Sequence, residues 1–129
     1  MSATADKLIT TFNSHVSWII NLVRKLHPKD ANIDRAAGRI SIAKQADPTI
    51  LINIIGPSLV EHRDKIINYD DEFVLTMDIS KHTDDELVIV IFETLTTSYK
   101  GFKDKERDVI KDRVNDMLNT YMEYLIAIQ

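Results

Sequence analysis

The stretch DKERDVIKDRVNDMLNTYMEYLIAIQ, residues Asp104 to Gln129, decides how this chain folds. Its apolar residues Val109, Ile110, Val114, Met117, Leu118, Tyr121, Met122, Leu125 and Ile126 recur at steps of one, three and four. An α-helix brings such residues onto one side, whereas a strand would alternate every second residue. The stripe is broad and needs other helices packed against it. An all-α protein with a long amphipathic C-terminal helix follows.

Working back along the chain, Gly101 is placed to end the preceding element as a C-terminal cap. Thr83 or Asp84 would cap a helix from Glu86 through Tyr99, whose apolar coat is Leu87, Val88, Val90, Ile91, Phe92, Leu95 and Tyr99. Six residues, Leu87 to Phe92, do not distinguish strand from helix alone; the acids before them and the extension through Leu95 favour helix. Phe73 to Met77 can be read as a short helix or an extended segment, after a polar joint at residues 68–72. Ser58 is placed to cap a helix with Glu61 three residues on, because Gly56–Pro57 should kink or end the isoleucine-rich element before it. Asp47–Pro48 suits an N-cap followed by a first helical position. Ile33, Ala36, Ala37, Ile40 and Ala43 mark a helix over residues 33–45 that Gly38 either weakens or opens to a close helix crossing. The first helix, near Ala5 to Leu26, buries Leu8, Ile9, Phe12, Val16, Ile19, Ile20 and Val23, with Trp18 to one side. Pro28 stops it.

The pattern implies a compact bundle of about five to seven helices around one core, with residues 1–129 as one domain. Eighteen isoleucines carry β-branches that lower helix propensity, so burial must stabilise the helices that contain them. Core truncations on the last helix should cost far more than exposed-face changes such as Lys111→Ala.

No cysteine is present, which excludes disulfides and thiol chemistry and fits a reducing, intracellular, cytoplasmic setting. The N-terminus carries no signal-peptide pattern, and no apolar run is long enough to span a bilayer. The terminal helix has an acidic polar side, unlike a helix that lies on an anionic membrane. No membrane partner is expected.

The four histidines, at 15, 27, 62 and 82, have no metal-ligand spacing. The acids Asp70, Asp71, Glu72 and Asp78 resemble a calcium loop only until the register is checked. Position 75 should be glycine and position 81 glutamate, but the chain has Leu75 and Lys81. Ser58 and His62 are four apart but lack a nucleophile elbow. Neither an enzyme, a metal nor a cofactor is therefore expected.

Six basic residues, Arg24, Lys25, Lys29, Arg35, Arg39 and Lys44, stand against only two acids between residues 24 and 46, although the chain as a whole has a net charge of −4. They are the candidate contacts for nucleic acid, whose binding would be salt-dependent; no zinc finger, basic zipper or RNA-binding aromatic pattern accompanies them. Ile110, Val114, Met117, Tyr121, Tyr124 and Ile128 follow steps of four and three, a seam of the kind that joins helices. With Trp18 as a second aromatic anchor, Trp18, Met117, Tyr121, Tyr124 and Ile128 are the candidate protein interface. A nonenzymatic protein–protein interaction or assembly module, open to homodimer formation, is the leading expectation. Nucleic-acid binding through residues 24–44 is the alternative.

Overall fold

The computed structural model describes residues 2–129, apart from the side chain of Leu87, which was expected in the apolar coat of the helix from Glu86 to Tyr99 and lies outside the described residues. Its helices are α1 (Ala3–Leu26), α2 (Ala31–Ala46), α3 (Ile50–Glu61), α4 (Arg63–Ile67), α5 (Glu72–Thr76), α6 (Glu86–Tyr99) and α7 (Asp104–Ala127). A 3-10 turn at Ile79–Lys81 lies between α5 and α6, and no strand occurs among the described residues. The fold is a compact all-α bundle with a long C-terminal helix. Phe73 to Thr76 are helical.

α1 and α7, 24 residues each, form the most extensive helix pair. At about 1.5 Å per residue, each is a rod long enough to carry several shorter partners. α3, α4 and α1 all lie against α7, while α2 and α5 lie against α6. One cluster of buried side chains draws on all seven helices, including Phe12, Ile33, Ile52, Ile66, Phe73, Ile91 and Met117.

Local chemistry sets the helix starts. The Ser2 hydroxyl accepts from the Ala5 amide at 3.1 Å. Asp30 accepts from the Asn32 and Ile33 amides at the head of α2. At α6 the capping carboxylate is Asp85, one or two residues later than expected; it accepts from the Val88 amide at 3.3 Å. At α7 the Glu106 carboxylate accepts from the Lys103 amide at 3.1 Å. This is half of a capping box, since a lysine ammonium has no acceptor to complete it.

Several local expectations fail for identifiable reasons. Asp47 does not start α3 directly: it accepts from the Thr49 amide and hydroxyl, forming a turn that delays the helix to Ile50. Pro57 does not end α3, which runs through it to Glu61. The carbonyl deprived of an amide donor belongs to Asn53, an exposed residue, while Ile52, Ile55 and Leu59 hold the helix in the core. Ser58 is consequently a buried mid-helix residue rather than a cap. Gly38 makes no close crossing, since a Cβ there would meet nothing within 4 Å. The close approach occurs at Gly56, where a Cβ would lie 2.2 Å from Cε1 of Tyr121. Gly101 has no left-handed backbone; its amide simply donates to the Ser98 carbonyl after the last turn of α6.

Candidate functional site

The α7 seam turns inward. Met117, Tyr121 and Tyr124 are 1%, 8% and 3% exposed, and all three belong to the core cluster. They are corrected from candidate interface to core, because α1 and α3 already occupy the face that a second subunit would need. Ile128 remains half-exposed, and Met122 and Ile126 are also exposed beside it.

Trp18 behaves differently. It sits at the edge of the buried face of α1, half-buried against the core, with part of the indole left to solvent. His15 is one helical turn earlier on the same side. On α7, Arg113 stands beside buried Val114, and its guanidinium reaches the Trp18 side of α1. The Arg113 guanidinium carbon is 4.4 Å from the indole ring centre, and Nη1 is 3.3 Å from His15 Nδ1. Cation–π attraction of this kind contributes roughly 0.5–2 kcal/mol and fixes one face of the indole. Burial, then the Arg113 charge, holds His15 below the usual histidine pKa of 6.5, while Asp116 acts in the opposite direction. A neutral imidazole is what Nδ1 needs in order to accept from Arg113.

The same indole lines a groove of about 600 Å³ together with Asn21, Leu22, Arg24, Lys25, Pro28 and Asp34. A second open groove of about 580 Å³ contains Pro28 and continues past Lys29. A third, of about 190 Å³, shares Asn21 and Arg24 with the first and extends to Lys44 between α1 and α2. The first groove thus adjoins the second at Pro28 and the third at Asn21 and Arg24. Arg24 Nε meets Asp34 at 3.3 Å, whereas Lys25 has no ion-pair partner among the described residues.

The basic residues therefore do not line up as one strip. Arg24, Lys25, Lys29 and Lys44 border the adjoining grooves. Arg39 lies instead in a small apolar recess with Val88 and Asp85, and Arg35 donates to Asn32 Oδ1 at 3.1 Å. Lys44 donates to the Ser17 hydroxyl at 3.2 Å.

No family model, curated protein or solved structure matches this chain.

The remaining polar clusters work locally. Ser58 is 1% exposed, and its hydroxyl has no hydrogen-bond partner among the described residues; the His62 amide reaches only its carbonyl. Asp70 and Asp78 accept from amides two residues ahead. Asp71 is taken up by Tyr99, Arg107 and Lys111. Among the described residues, no group of three His, Cys, Asp or Glu side chains converges as a metal site. Glu61 meets His82 Nε2 at 3.0 Å and Lys81 at 3.4 Å, tying the 3-10 turn to the end of α3.

Sequence reasoning identified Trp18, Arg24 and Lys25 but missed Arg113. Its only local signal is a position beside the α7 stripe; the pairing with α1 spans 98 and 95 residues to His15 and Trp18.

A pH dependence follows from two histidines. His15 and His62 are both held below 6.5, with burial the largest cause for each. The unfolded chain therefore binds these protons more readily than the folded one. Their contribution is complete above 6.5 and drains away as pH falls from there toward the depressed folded values. Thermal unfolding followed from neutral pH to about pH 5 should show a falling midpoint, with a shallower decline for His15→Gln. An identical slope in the variant would contradict the assignment.

Proposed function

We propose that this protein is a nonenzymatic protein-interaction module that binds through the Trp18 groove. The observation that carries this is a half-buried indole, held on one face by Arg113, at the wall of an open groove with an apolar floor and basic rim. Tryptophan and arginine are enriched among residues that dominate binding energies, and a preorganised ring loses little freedom on binding.

The experiment is native co-purification with wild type, Trp18→Ala and Leu22→Glu, followed by reconstitution with the purified partner. Both variants should keep the helical circular-dichroism signal and weaken binding at least about tenfold, or about 1.4 kcal/mol. Equal binding by all three proteins would overturn the groove assignment.

Self-association belongs to the same reading through a different surface. Met122 and Ile126, four apart and 40% and 71% exposed, supply an apolar edge near Ile128. Sedimentation should show a concentration-dependent rise above 14.8 kDa that Ile126→Glu abolishes. Nucleic-acid binding ranks below protein binding. Asp34 occupies the groove wall, Arg24 is already paired with it, and the chain is acidic overall.

A further inference from the structure

We propose that the occupant of the Trp18 groove is an acidic peptide segment of a partner protein, with an apolar side chain seated on Trp18 and Leu22 and a carboxylate beside Lys25. This rests on the protein-interaction reading and names the chemistry of the partner.

Shape, floor and charge each restrict the occupant. Two grooves of about 600 and 580 Å³ meet at Pro28, giving a path rather than a closed pocket. A path suits a chain segment that crosses the surface, with one side chain anchored in it. The floor is one indole with leucine and proline beside it. Successive aromatic platforms, which stack the bases of a single strand, are not part of the groove. Asp34 pairs with Arg24, and Asp30 stands beside Lys29 in the lining of the second groove, so the charge left without a counter-charge at the rim is that of Lys25. A carboxylate placed at one point of a peptide can meet Lys25 and avoid Asp30 and Asp34, whereas a continuous phosphate backbone would pass both acids. The net charge of −4 adds a general repulsion toward nucleic acid.

Trp18 is the only tryptophan, so its emission reports occupancy of this groove without a label. A display library of short random peptides is selected on the folded full chain. Enriched peptides are then synthesised and titrated by Trp18 fluorescence, beside a single-stranded and a duplex oligonucleotide. Enrichment of an aromatic or aliphatic residue flanked by Asp or Glu is expected, with a shift in Trp18 emission that saturates and weakens with salt. Lys25→Glu should weaken binding about tenfold. Lys105→Glu, the same charge change at an exposed position on α7, should leave affinity within about twofold.

Peptides that shift Trp18 emission but carry no acids and ignore Lys25→Glu would overturn the acidic assignment and leave the groove as a protein-binding site. Saturable oligonucleotide binding at Trp18 with no peptide binding would overturn both. Failure to enrich any peptide that perturbs Trp18 would overturn the peptide proposal, while the co-purification variants would still decide the interaction role.

Discussion

Tyr99→Ala should cost about 3–5 kcal/mol, the range for removing a large aromatic side chain from a packed core. Tyr99 has no exposed surface, and its hydroxyl donates to Asp71 Oδ1 at 2.6 Å. The ring packs edge-on to Phe102 at 6.1 Å between centroids, and the Arg107 guanidinium carbon lies 4.8 Å from its centre. Arg107 Nη1 also reaches Asp71 Oδ2 at 3.3 Å, and Lys111 Nζ reaches Asp71 Oδ1 at 3.0 Å. The end of α6, the start of α7 and the residue before α5 are thereby joined at one carboxylate.

Tyr99→Phe keeps the ring and removes only the donor. It should cost about 1.5 kcal/mol, the low end for a hydrogen bond to a charged group, because Asp71 keeps two cationic partners. The hydrogen bond from Tyr99, then Lys111 and Arg107, holds the Asp71 pKa below the ordinary carboxylate range. Its stabilisation is present above the unfolded pKa of 3.8 and is lost as pH falls through the lowered folded value. The gap between wild type and Tyr99→Phe should therefore narrow in strong acid. Burial and the same carboxylate raise the Tyr99 pKa, so the phenol keeps its proton throughout. Denaturant unfolding measures all three proteins, with equal midpoints for wild type and Tyr99→Phe as the result that contradicts this network.

Lys111 changes meaning in the structure. Its side chain is only 12% exposed and contacts both Asp71 and Asp108. Its pKa is raised by those carboxylates against the opposing effect of burial. The sequence placed Lys111 on the exposed face, but a long side chain can lie back over a neighbouring helix while its Cα stays at the surface.

Gly56→Ala carries the second large effect, with a sign opposite to that of an ordinary glycine in a helix. Alanine normally gains up to about 1 kcal/mol there by reducing the freedom of the unfolded chain. At position 56 the new methyl would sit 2.2 Å from Cε1 and 2.4 Å from Cδ1 of Tyr121. That ring is 8% exposed and lies in the core, so relief requires α3 and α7 to separate. Overpacking should cost about 1–3 kcal/mol and exceed the helix gain. Gly38→Ala is the matched comparison, since its Cβ would meet nothing within 4 Å. It should stabilise the protein by about 0.5–1 kcal/mol. Opposite shifts in the two denaturation midpoints are expected; stabilisation by both substitutions would contradict the close approach.

Features with a strong local period were the most legible from sequence. The α1 positions Ile9, Phe12, Val16, Ile19, Ile20 and Val23 are all buried, as their spacing required. The α7 stripe was equally legible as a stripe, yet periodicity could not assign its occupant. Ile110, Val114, Met117, Tyr121 and Tyr124 meet the protein's own core, while Met122 and Ile126 stay exposed. Pro57 misled in its reading as an end, because the packing of Ile52, Ile55 and Leu59 stabilises a helix that continues through it. Gly38 and Gly56 were indistinguishable by composition; only the ring of Tyr121, 65 residues on, separates them. The same is true of the groove. Trp18, Arg24 and Lys25 were visible as residue types, but the Arg113 support and the Asp34 pairing are products of the fold.

Quenching of Trp18 by a neutral small molecule, before and after saturation with the purified partner, is the most direct measurement of the interaction role. Free protein should be readily quenched because the indole borders an open groove, and the bound protein should be strongly protected. An unchanged quenching constant at full occupancy would place the partner elsewhere and contradict the account.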